Sequence, residues 1–194
     1  MNKKEIKHFL DTKPYKQLSA ASFIYNLYLM PEAETIADAL IAKIKKKTDE
    51  DIELELRIQN ASEPEEFIRL MRKSLSSFNK KMLRTRMLEN ESVLLPFIQR
   101  TSLTNRQDFF IENALHFFLH SEGNYCDWIV EHYDDFKSEY FKSMLCLVLG
   151  FRGDESLIPM LMSETDRFER DYPDDDYEQG PIFAVQELAV RFLN

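Results

Sequence analysis

Glu112, His116 and His120 stand at i, i+4 and i+8, a spacing that turns all three toward one side of a helix. Two imidazoles one turn apart can chelate zinc, and a carboxylate can complete such a site. The glutamate-histidine order of the HExxH protease motif is absent, however. The plainer interpretation is a polar outer stripe opposite Phe109, Phe110, Leu115, Phe117 and Phe118, and the sequence favours it. Asp127, Glu131 and Asp134 or Asp135 make a second candidate, an acidic stripe on the next helix. Paired carboxylates can exchange protons or hold a divalent cation, but no ligands from another helix come into register with these. The run Asp174-Asp175-Asp176-Tyr177-Glu178-Gln179-Gly180 has the composition of a calcium loop without its spacing. The glycine falls seventh rather than sixth, and Val185 stands where the closing glutamate belongs. A solvated loop is expected, and no metal or cofactor is assigned.

Cys126 and Cys146 lie inside apolar runs, where a free thiol behaves as a small hydrophobe. Four glycines are too few for a phosphate loop, a nucleophile elbow or a dinucleotide fingerprint. No catalytic constellation is found, so the chain is not expected to be an enzyme.

The elements that would carry these residues are helices. The 194-residue chain is 44% apolar, enough for a continuous core, and its scarce glycine and seven prolines disfavour an all-β fold. A single domain over residues 1–194 is expected. No window is apolar enough to span a membrane, and no apolar segment follows the basic start, so a cytoplasmic setting is expected. Residues 19–30 form an aromatic-rich helical run ending at Pro31, and residues 34–47 are amphipathic through Ile36, Ala37, Leu40, Ile41 and Ile44. Ile52, Leu54, Leu56 and Ile58 alternate as a strand would, but the charged residues between them favour helix. A helix over residues 65–78 follows, with Pro64 at its first turn.

Three stretches repeat one arrangement: Asn90-Glu91-Ser92-Val93-Leu94-Leu95-Pro96, Gly123-Asn124-Tyr125-Cys126-Asp127-Trp128-Ile129 and Gly153-Asp154-Glu155-Ser156-Leu157-Ile158-Pro159. Each opens with a turn residue between two apolar runs, and their first residues are 33 and 30 positions apart. Counting back by 30 reaches boundaries at Asn60 and Met30. Short turns between amphipathic runs at this period are the mark of stacked helical hairpins. In the last unit Gly150 and Gly153 are expected to free the backbone for the turn. Asp154 is placed to cap the next helix, and Pro159 falls in its first turn. The final helix, with Ile182, Phe183, Val185, Leu188, Ala189 and Phe192, is expected to cap the stack.

Residues Leu149-Gly150-Phe151-Arg152-Gly153-Asp154-Glu155-Ser156-Leu157-Ile158-Pro159-Met160-Leu161 resemble the turn and second helix of short HEAT-like repeats. The resemblance covers roughly the last 110 residues. It implies an all-α, armadillo-type α-α superhelix of about five hairpins plus a terminal capping helix, a fold used mostly for binding.

Charge is unevenly placed. Residues 1–106 hold 19 Lys/Arg against 15 Asp/Glu, whereas residues 107–194 hold 6 against 19. Residues 67–106 carry nine basic side chains against Glu89 and Glu91, a balance of +7. In a stacked solenoid sequence order is spatial order, which would make the molecule electrically bipolar. Arg69, Arg72, Lys80, Lys81, Arg84 and Arg86 are therefore expected to form a basic surface for an acidic protein partner. The leading expectation is a non-enzymatic protein-interaction module. One alternative is a nucleic-acid-acting enzyme resembling the HEAT-like alkylpurine DNA glycosylases. The acidic C-terminal half and the single tryptophan, Trp128, disfavour it. A self-assembling structural protein joined head to tail is the other.

Overall fold

A computed structural model describes residues 3–13 and 48–192. The helical runs expected over 19–30 and 34–47, with the boundary at Met30, lie outside the described residues. Among the described residues every regular element is helical and no strand occurs. In chain order the α-helices are α1 (Lys3–Thr12), α2 (Asp49–Asn60), α3 (Pro64–Met71), α4 (Ser77–Glu89) and α5 (Glu91–Ser102). They continue with α6 (Asp108–His120), α7 (Cys126–Glu131), α8 (Glu139–Arg152), α9 (Ile158–Asp171) and α10 (Gln179–Phe192). Short 3-10 turns, Tyr133–Asp135 and Glu155–Leu157, precede α8 and α9. No described helix is long and apolar enough to cross a membrane. The chain divides into two compact units, one of residues Met1–Ile24 with Asn124–Asn194 and one of Tyr25–Gly123.

In the Tyr25–Gly123 unit local chemistry starts the elements. Thr48 and Asp51 form a reciprocal capping box at the head of α2, each side chain meeting the other's backbone N–H. The alternating apolar run is thus helical, and a helix cannot bury all of it. Leu54 and Ile58 go inside, while Ile52 and Leu56 stay 45% and 53% exposed. Pro64 opens α3, but α3 stops at Met71 instead of reaching residue 78. A new helix starts at Ser77 under the Ser76 cap, which puts Phe78 in the next element. Asn90 is the hinge between α4 and α5, as the turn pattern requires.

Packing in this unit pairs alternate helices: α2 lies against α4 and α4 against α6, while α3 lies against α5. Bonds across the first row recur at nearly the repeat spacing. Asn79 Nδ2 donates to the Asp51 carbonyl at 2.9 Å, and Arg84 Nε donates to Asn113 Oδ1 at 3.1 Å. The core between the rows holds Ile58, Phe67, Leu70, Met71, Leu83 and Met87, each fully buried.

The other unit is centred on α8 and α10. All residues from Phe141 to Phe151 of α8 are buried, as its nearly all-round apolar composition demands. Gly150 is not a turn residue. The helix runs through it, and a Cβ there would lie 2.8 Å from Ala184 Cα of α10, so glycine sets the closeness of the crossing. Gly153 ends α8 with extended backbone, Asp154 accepts from the Ser156 N–H at 2.9 Å, and Pro159 sits in the first turn of α9. α10 begins at Gln179, inside the stretch expected to be loop, and packs against α8, α9 and α1. Ile182, Val185 and Leu188 of α10 are buried, while Gln186, Val190 and Phe192 are exposed, so one face of the helix is covered. α1 contacts α10, and Lys13 just after it pairs with Asp166 and Glu169 of α9, so the first helix lies beside the last two, against the premise that order in sequence is order in space.

Candidate interaction surface

The six basic residues singled out by charge are distributed between the two helix rows. Arg69 and Arg72 belong to α3 and its C-terminal cap, whereas Lys80, Lys81, Arg84 and Arg86 belong to α4. Arg69 is 68% exposed and reaches Glu66 at 3.1 Å, a carboxylate that also holds Arg57 of α2 at 2.6 Å. Arg72 and Lys81 are exposed. Lys80 is half-buried, with Nζ 3.2 Å from Glu112 Oε2 on α6.

Arg84 and Arg86 depart from the exposed position that sequence spacing suggested. Arg84 is only 5% exposed, its guanidinium joined to Asn113 of α6, whose Nδ2 in turn donates to the Met71 and Phe109 carbonyls. Arg86 faces the C-terminus of α2. Its Nη1 donates to the Ile58 and Gln59 carbonyls and its Nη2 to that of Ala61 at 2.8 Å. A cation at a helix C-terminus meets unpaired carbonyls and the negative end of the helix dipole, so this arginine has a structural task. The other unit repeats the device, with Arg191 donating to the Gly150, Phe151 and Gly153 carbonyls at the end of α8.

The histidine stripe is corrected as well. Glu112 and Asn113 both bond to α4, which turns this side of α6 toward α4 and not outward. His116 Nδ1 is therefore buried without a hydrogen-bond partner, although part of the ring remains at the surface. Burial first, then the nearby Arg84 and His120, push the imidazole down to about 2, so it is held neutral. Phe109, expected in the core, is 41% exposed at the head of α6, as Phe78 is at the head of α4 (44%). Among the described residues no cluster of His, Cys, Asp and Glu is arranged to hold a metal ion.

A polar network that sequence patterns did not single out lies in the other unit. Arg167 of α9 binds Glu164 at 2.8 Å and Glu139 of α8 at 2.7 Å, and Glu139 also meets Lys142 at 3.3 Å. Burial opposes the charge on Arg167, but its bonds to the two carboxylates prevail and its pKa is raised. The i, i+3 spacings of Glu139–Lys142 and Glu164–Arg167 were the only signal in the sequence. Beneath this network the Tyr133 hydroxyl stands 3.3 Å from Cys146 Sγ and 3.2 Å from the Lys142 carbonyl. Burial, with Cys146 and Glu164 beside it, raises the Tyr133 hydroxyl well above its ordinary value. Burial likewise pushes the Cys146 thiol up to about 12 and Cys126 up to about 11. Neither thiol forms a thiolate near neutral pH, which suits packing and not nucleophilic attack. Asp127, Glu131, Asp134 and Asp135 are exposed on α7 and the 3-10 turn after it.

No family model matches the chain, and neither a curated protein nor a solved structure matches it.

Proposed function

We propose that the chain is a HEAT-like helical-repeat protein that works as a non-enzymatic protein-interaction module. The observation that carries this reading is the alternate packing in the Tyr25–Gly123 unit, α2 on α4 on α6 and α3 on α5, with cross-helix bonds at 28 and 29 residues' separation. Stacked helical hairpins pack in this way because each pair leaves an apolar face that only a neighbouring pair can cover. The buried, high-pKa thiols and phenol support a binding role over covalent chemistry. A cytoplasmic setting belongs to the same reading and agrees with two buried free thiols.

The partner is a protein with an acidic surface, and the cations offered to it are fewer than the sequence total. Arg69 and Arg72 present one exposed group and Lys81 another, on separate rows. Charge grouped by structural unit is milder than charge grouped by chain order. The unit containing both termini holds 11 Lys/Arg against 18 Asp/Glu, and the other holds 14 against 16. Recognition therefore rests on local exposed cations, not on an electrically bipolar molecule.

Affinity capture from the native host, with and without nuclease treatment, tests the reading. Protein retained equally in both arms and released by salt is the expected result. Retention that disappears with nuclease, together with a mobility shift of nucleic acid at low salt, would transfer the assignment to a nucleic-acid-binding protein.

A further inference from the structure

His116 and His120 follow one another by a turn on α6, their rings 4.3 Å apart and inclined by 32°. From α4, Arg84 enters the same seam and binds Asn113, while Lys80 occupies Glu112. Among the described residues, Arg84 and His120 act on His116, and each opposes a positive charge there. Glu112, one turn before His116, is engaged by Lys80. From α3 the seam receives the Met71 carbonyl, taken by Asn113, and no charge from α3 or α5 acts on the ring. The opposite side of α4 is different in kind. There Asn79 and Arg86 bind backbone carbonyls of α2, which do not titrate.

We propose that the α4–α6 seam is a proton-operated joint, in which a proton taken from solvent by His116 adds a positive charge beside Arg84 and His120 and parts α6 from α4. The closed seam excludes the proton, whereas the opened ring binds it as an ordinary imidazole with a pKa near 6.5. A histidine whose closed-state pKa is depressed supports the closed form above its ordinary pKa and loses that support as pH falls. The open population should accordingly rise about tenfold for each pH unit below roughly 6.5. The joint lies within one unit and needs no partner, so it stands or falls apart from the function proposed above.

Hydrogen exchange of the full chain between pH 7.5 and 5, corrected for the intrinsic effect of pH on exchange, reads the joint directly. Amides of α6 should lose about tenfold in protection per unit below pH 6.5 while α2 and α8 keep theirs, and His116→Gln should abolish the loss. Nuclear magnetic resonance of the wild-type imidazoles gives a second readout should the variant not fold. The closed-state His116 ring should stay neutral at pH 5. Protection of α6 that ignores pH, an equal loss in every helix, an unchanged loss in His116→Gln, or a closed-state ring that charges near pH 6.5 would each overturn the proposal.

Discussion

Gly150 shows how one residue sets the geometry of a unit. A methyl group there would press on Ala184 at 2.8 Å from its Cα, and that neighbour is backbone, which cannot rotate away. Two effects compete in Gly150→Ala. Helix propensity favours alanine by about 1 kcal/mol. Overpacking a tight crossing costs about 1–3 kcal/mol. The backbone contact decides for the second, so the variant should unfold at lower urea concentration with an unchanged slope. A midpoint equal to or above wild type would mean that α10 retreats freely from α8. His116 makes the complementary point about spacing. Its i, i+4 relation to Glu112 and His120 was legible in the sequence, but the side of α6 that meets α4 was not. Only the long-range bonds of Arg84 and Lys80 fix that side.

At the scale of elements, sequence signals worked where the responsible atoms are neighbours in the chain. The Thr48–Asp51 box, Pro64, Asn90 and the Asp154–Pro159 start all lie where their local chemistry puts them. They failed where a distant helix decides. α3 ends early, α10 starts early over buried Gln179 and Gly180, and Arg86, besides reaching Glu89 in its own helix, serves the end of α2. Arg86→Met separates these levels, because it keeps much of the apolar stem and removes the donors. With the α2 carbonyls left to solvent or unpaired, stability should fall by about 1–3 kcal/mol, and protection should drop first at the end of α2. A loss spread evenly through α4 would indicate that the arginine supports its own helix.

For the molecule as a whole, the helical class was legible because four glycines and period-3.6 patterns leave little room for sheet, and no described residue is in a strand. Far-ultraviolet circular dichroism should accordingly show a dominantly helical spectrum. Charge polarity was misleading because α1 packs with the C-terminal unit, which moves basic residues in with the acidic ones. Under the proposed binding role, the cations left for recognition are the exposed ones on either row of the Tyr25–Gly123 unit. The most direct test is the affinity of the captured protein partner for wild type, for Arg69→Glu with Arg72→Glu, and for Lys81→Glu, measured at low and high salt. Exposed charges add little to stability, so every variant should melt near the wild-type temperature. One of the two groups should weaken binding about tenfold or more at low salt and flatten its salt dependence, identifying the row that meets the partner. Equal affinity and equal salt dependence for all three proteins would contradict the account, leaving these cations as a solvated surface.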